Sequence, residues 1–231
     1  MKPPRKKRKA AAAKLLPAKK DTNRLTALLR GVAKQTQAEL VARGAVDPIY
    51  LQILTLLKQP TFTEKLAAIA KSIWRNNGIG LGTVIGIDVR EASGLNTFID
   101  KFVERNLTYI QDMVEQQATR LQDILIENIG VRHEDIAAKI QEATGVAESR
   151  ADLIARDQVL KLNAGIARNR QTSAGITRYV WTTSGDERVR EEHAALEGQI
   201  FSWDSPPPPG HPGEDIQCRC IAYPLIEGID E

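Results

Sequence analysis

Apolar side chains recur at helical spacing through the first two-thirds of the chain and alternate only near its end. In Asn23–Arg43, Leu25, Leu28, Leu29, Val32 and Leu40 share one face, and Gly44 supplies a stop. Pro48 stands in the first turn of a second predicted helix, Ile49–Lys58. Thr61–Asn77 is a third, with Phe62, Leu66, Ile69, Ala70 and Ile73 on one side. Gly78, Gly80, Gly82 and Gly86 then interrupt the pattern. They have neither the spacing nor the strand-to-helix setting of a phosphate-binding loop, so they read as a flexible connection.

The longest periodic segment runs from Leu95 to about Ile129, with an apolar stripe that includes Ile99, Phe102, Ile110, Met113, Val114 and Leu121. At ~1.5 Å per residue it would span roughly 50 Å, long for a compact domain and suggestive of an extended shape or helical partners. Helices Glu134–Ala143 and Ser149–Asn169 follow, parted near Gly145. The stretch Ile140–Val146 has the look of a helix-turn-helix, whose glycine turn precedes a DNA-reading helix. Gln141 sits where such a motif wants a small residue, and Asp152 and Asp157 lie among the cations of the second helix. Ordinary helix packing is the expectation.

The last third changes period. Ile176–Thr183 alternates as a strand, and Gln199–Trp203 is a second short one. Ser184 and Glu187 fit a capping box for a helix Asp186–Leu196 ending near Gly198. A proline-rich loop, Ser205–Gly213, leads to a strand Ile216–Leu225, which would set Cys218 and Cys220 on one face. The fold class is therefore α+β, an elongated, mainly helical N-terminal two-thirds followed by a small mixed α/β C-terminal domain. The segments are a disordered basic arm (1–20), a helical region with its glycine-rich connection (21–94), a long-helix region (95–175) and the small domain (176–231).

Composition is ordinary for a globular protein, with 42% hydrophobic and 26% charged residues among 231. No stretch approaches the roughly 20 apolar residues of a membrane helix, and no apolar signal-peptide core follows the basic N-terminus. A cytosolic origin fits. The net charge of +3 conceals three unlike blocks. Residues 1–20 hold nine Lys or Arg and no acid, residues 21–178 are nearly balanced, and residues 179–231 hold three Arg against eleven acids. The arm is too charged and too poor in large apolar groups to fold alone. Two readings stand for it: a solvated tail, or a nucleic-acid contact in which Arg5, Lys6, Lys7, Arg8 and Lys9 release counterions from phosphates.

Chemistry concentrates between residues 193 and 220. Cys218 and Cys220 are one residue apart, too close for a useful disulfide. With His193 and His211 they make a ligand set that suits one structural zinc. Free cysteines are also among the most buried residues, so the pair can equally be core. Trp181 and Trp203 read as core aromatics. Arg219 should face away from the cysteines, where it can pair with an acid.

The run Trp181-Thr-Thr-Ser-Gly-Asp186-Glu-Arg188-Val-Arg190-Glu-Glu-His193-Ala-Ala-Leu196-Glu-Gly198-Gln-Ile-Phe201 resembles the C-terminal domain of phage Mu protein F and its relatives. Pro209-Gly-His211-Pro-Gly-Glu-Asp-Ile-Gln-Cys218-Arg219-Cys220 follows at the expected distance, and Glu148–Arg156 resembles the helix before that domain. The resemblance covers about Leu95 to Leu225. It implies a phage head-morphogenesis protein, a minor head component built into the procapsid in few copies. Such a protein associates with the portal protein and other head proteins, acts in DNA packaging or delivery, and is not an enzyme. It would reside inside the procapsid or virion after assembly in the host cytoplasm, without contact to membrane. Some relatives carry Cys-x-x-Cys where this chain has Arg190-Glu-Glu-His193, a departure that removes one zinc ligand. Two alternatives belong to other classes. One is a metal-dependent hydrolase or nuclease using His193 or His211 as base beside Asp186 and Glu187; the other is a nucleic-acid-binding protein working through the arm. No Gly-x-Ser-x-Gly, His-Glu-x-x-His or Walker signature supports other catalysis.

Overall fold

In the computed structural model the described residues are 5–43, 57, 59–128 and 133–226. The elements are α1 (Arg5–Ala13), α2 (Lys19–Arg43), α3 (Pro60–Ile85), α4 (Leu95–Glu127) and α5 (His133–Ser173), then β1 (Arg178–Thr182), α6 (Glu191–Ala195), β2 (Ile200–Ser202) and β3 (Ile221–Leu225). The α+β expectation holds. The helix expected at Ile49–Lys58 lies outside the described residues except for Leu57.

Two compact units interleave along the chain, where the hydrophobic pattern suggested four consecutive segments. One, the sheet unit, comprises Met1–Asp21, Ala70–Phe98 and Asp157–Glu231; the other, the helical unit, comprises Thr22–Ile69 and Ile99–Arg156. In the helical unit, Leu25, Leu29, Val32 and Ala33 of α2 are buried, as are Phe62, Leu66 and Ile69 of α3. So are Phe102, Ile110, Met113, Val114 and Leu121 of α4. These are the apolar stripes of the sequence. On α5 the buried positions Ala143, Ala147, Ala151 and Ala155 fall every fourth residue, a narrow seam of small side chains.

The sheet has the order β2-β1-β3 and both pairings are antiparallel. Central β1 pairs Tyr179 with Phe201 on one side and Trp181 with Ala222 on the other. Its alternation separates two cores. Tyr179 and Trp181 pack with Trp203, Cys218, Cys220 and Ala222, whereas Val180 packs with Tyr223, Leu225 and Ala11.

Four local expectations are corrected. First, residues 5–13 of the supposed disordered arm form helix α1. Long-stemmed Lys and Arg with an Ala run are strong helix formers, but nine residues are marginal alone. Docking supplies the rest: Arg8 and Ala12, one turn apart, are buried, and the helix contacts β1 and β3. Second, α3 continues through Gly78, Gly80 and Gly82 to Ile85, and Gly86 ends it at φ +77°. The glycines serve close approach. A Cβ at Gly80 would collide with the Lys14 carbonyl oxygen, and one at Gly78 would lie 2.9 Å from the Arg170 guanidinium. Third, α5 is one helix with no turn at Gly145, which removes the helix-turn-helix reading. A helix-interior glycine costs about 1 kcal/mol relative to alanine, less than the buried alanine seam on either side recovers. Fourth, β3 begins only at Ile221, so Cys218 and Cys220 precede the strand.

Candidate metal centre

The centre lies entirely in the sheet unit and is built from α6 and the turn before β3. The capping box does not form, and the helix expected from Asp186 starts only at Glu191, with Arg190 as N-cap and no side-chain cap bond. Asp186 is engaged elsewhere. Its two oxygens accept from the Arg219 guanidinium at 2.5 and 2.7 Å, the acid partner expected for Arg219. Those bonds, with nearby Arg188, hold the Asp186 carboxyl down to about 2. Asp186 is thus bound up in an ion pair rather than poised beside a histidine base.

On the short helix, His193 points inward and is 2% exposed. Its ring meets Trp181 edge-on at 5.4 Å between centroids. Nδ1 lies 3.6 Å from Cys218 Sγ and 3.6 Å from Cys220 Sγ. The three ligand atoms fall within 4.8 Å of one another. On the ring's other side, Nε2 makes no hydrogen bond and lies 3.5 Å from Asp215 Oδ2. Arg190 fixes that carboxylate at 2.7 Å, and the backbone N–H of Ile216 donates to its other oxygen at 2.7 Å.

The cysteine turn is held from several directions. Gln217 has φ +53°, a left-handed conformation that a non-glycine residue adopts only when its surroundings enforce it. Its N–H donates to Asp157 Oδ1 at 2.8 Å, which ties the turn to α5. Gly213, at φ +88°, packs so tightly on Ala164 that a Cβ would collide there, and its N–H donates to Cys218 Sγ at 3.4 Å. With both thiols buried, the Cys220 S–H bonds Cys218 and lowers it to about 6, while the same bond and burial push Cys220 up.

His211, expected as a fourth ligand, is placed elsewhere. Its Nδ1 is 2.8 Å from the Tyr179 hydroxyl, and its ring lies 4.9 Å from that of Trp203. Burial lowers the His211 pKa and raises that of Tyr179, so both stay neutral near pH 7. Among the described residues, the sets of three or more close ligand atoms are His193 with Cys218 and Cys220, and His193 with Glu192 and Asp215.

Of the five arm cations, Arg8 is turned inward. Its Nε donates to Thr182 Oγ1 at 3.0 Å and its NH2 to Glu197 Oε1 at 2.6 Å. Glu197 Oε2 accepts from the backbone N–H and the hydroxyl of Thr183, both at 2.7 Å. Arg5, Lys6 and Lys7 remain exposed and Lys9 is half-buried. Sequence reasoning missed Asp215, Asp157 and Glu197. Asp215, three residues before Cys218, was within reach of a search for outer carboxylates; Asp157 and Glu197 carried no local signal.

The fold and site thus define a small α+β domain with a buried imidazole–dithiol cluster at the end of a long-helix chain. Residues 108–223 match the family described as "Phage Mu protein F like protein", and the chain belongs to it, a bacteriophage head-morphogenesis family. An uncharacterized protein of Haemophilus influenzae Rd is 32% identical over 168 residues, covering 71% of this chain. The chain spans 37% of that relative's length. No solved structure matches. Among the described residues no helix is long and apolar enough to cross a membrane.

Proposed function

We propose that the chain is a structural minor head protein of a tailed bacteriophage. It is carried in few copies inside the procapsid and virion, assembled in the host cytoplasm, and seated at the portal among other head proteins. There it acts in DNA packaging or delivery. The observation that carries the reading is the family match over 108–223, which takes in most of α4, all of α5 and the sheet domain through Tyr223. A fold alone does not fix activity, so the reading rests on family and site together. The hydrolase alternative gains nothing from the site: Asp186 is paired with Arg219, and His193 faces two thiols.

DNA is the partner suited to the outward cations Arg5, Lys6 and Lys7. Duplex binding through them would be indifferent to sequence and would weaken with salt at about −0.9 in log affinity per phosphate neutralised. Mass spectrometry of purified procapsids and virions tests the head role, with deletion of the gene expected to lower the yield of infectious particles. Absence from both particles overturns it. Replacing Arg5, Lys6 and Lys7 by Gln should abolish duplex binding at low salt and leave the fold intact, since Arg8 keeps its contacts.

A further inference from the structure

We infer that His193 Nδ1, Cys218 Sγ and Cys220 Sγ bind one zinc ion, with Asp215 as the outer carboxylate of His193. This goes beyond the proposed head role and does not depend on it. The distances carry the inference. Zinc takes thiolate sulfur at about 2.3 Å and imidazole nitrogen at about 2.0 Å, which at a tetrahedral angle places the two ligand atoms about 3.6 Å apart. Both Nδ1···Sγ separations are 3.6 Å.

The second observation is on the far side of the ring. A metal-bound imidazole directs its remaining N–H to a carboxylate, which fixes the tautomer and makes the ligand more basic. His193 Nε2 is buried without a hydrogen bond, and Asp215 Oδ2 stands 3.5 Å away, itself oriented by Arg190. With the metal on Nδ1 the proton must sit on Nε2, which aims it at that carboxylate. The choice of metal follows from the donors, since two thiolates and an imidazole favour zinc over magnesium or calcium.

The ligand set is three residues rather than four, because His211 is committed to Tyr179. Among the described residues no further Asp, Glu, His or Cys joins the trio. His193, Cys218 and Cys220 are each under 7% exposed, so the ion is closed off from bulk solvent. Its work is to tie α6 to the turn that leads into β3.

The full chain, purified without chelator, is expected to contain about one zinc per molecule by elemental mass spectrometry, with X-ray absorption showing two sulfurs at about 2.3 Å. Cys218→Ser with Cys220→Ser should lose the metal, and His211→Gln should keep it. Asp215→Asn should keep the stoichiometry but weaken affinity by about 10–100-fold in competition with a chelator. Should the cysteine variant fail to fold, wild-type protein reloaded with Co2+ still reports, through thiolate-to-cobalt charge-transfer absorption. Protein that lacks metal and that band, with a melting temperature unmoved by chelator, overturns the inference. Loss of zinc in His211→Gln overturns the three-residue ligand set.

Discussion

The two units satisfy their buried polar groups in opposite ways. In the helical unit, Thr36, Asn106, Asn128 and Thr144 each donate to the carbonyl four residues earlier. Gln117, which reaches the Ala33 carbonyl at 3.1 Å, and Asn128, whose Oδ1 also accepts from Lys139 at 2.9 Å, are the exceptions among these groups. In the sheet unit the bonds cross the sequence. Asn163 donates to the Leu15 carbonyl at 2.8 Å, Asn77 to Asn163 Oδ1 at 3.0 Å, Arg170 to the Trp74 carbonyl at 2.6 Å and Gln171 to the Ala222 carbonyl at 3.0 Å. A side chain bonded within its own helix says nothing about which segments meet. One bonded across the chain fixes that choice, and its loss strands a buried partner. Apolar stripes therefore specify the helical unit, while the sheet unit depends on polar pairs and close backbone contacts.

The largest test of that contrast is Gly80→Ala. Its new methyl group would press on the Lys14 carbonyl, and backbone cannot yield as a flexible side chain does. We expect a loss of about 3 kcal/mol or more, read as a lower melting temperature and faster hydrogen exchange at the β1 amides. Gly145→Ala, on the α5 face where nothing lies within 4 Å, should instead stabilise the helix by about 1 kcal/mol. Equal effects at the two glycines would refute the contrast.

These glycines also mark where the sequence was silent. The stripes of α2 and α4 were legible because 3.6-residue periodicity is a local signal. Gly78, Gly80 and Gly82 were misread because a glycine reports the absence of a side chain without saying whether the chain turns or a neighbour approaches. Arg8 was misread because its burial depends on Glu197, 189 residues away. Residue type singled out His193, Cys218, Cys220 and His211 alike. Only the fold separates the ring facing two thiols from the ring facing Tyr179. Asp157 was invisible, since its role is to hold a backbone N–H 60 positions later.

A smaller effect, with a pH signature, is expected at Glu197. Burial opposes its ionisation, yet the bonds from Thr183 and Arg8 outweigh that and hold the carboxyl below its ordinary value of 4.5. A group lowered on folding contributes stability that is complete above the ordinary value and is lost as pH falls through the lowered one. Sheet-unit stability should thus decline on acidification below that ordinary value, and Glu197→Gln should flatten the decline while costing about 2 kcal/mol at pH 7. A variant whose melting curve keeps the wild-type acid dependence would remove Glu197 from the account.

The smallest difference is also the cleanest, because it uses one substitution twice. Thr36 and Thr182 are both buried. Thr36 Oγ1 donates to the Val32 carbonyl at 2.9 Å, an oxygen that the helical backbone already serves. Thr182 Oγ1 accepts from Arg8 Nε at 3.0 Å, and no backbone group can replace it for that guanidinium. Valine preserves the shape of both side chains and removes only the hydroxyl. Thr36→Val should therefore lie within about 0.5 kcal/mol of wild type, whereas Thr182→Val leaves a buried charged donor short of one acceptor and should cost about 1.5 kcal/mol. Combining Thr182→Val with Arg8→Met sharpens the assignment further. If the Thr182 hydroxyl matters through Arg8, the second change should erase most of the cost of the first, a coupling of about 1 kcal/mol in a double-mutant cycle. Simple additivity would mean that Thr182 acts through packing alone, and α1 would then be held to the sheet by Glu197 and apolar contact.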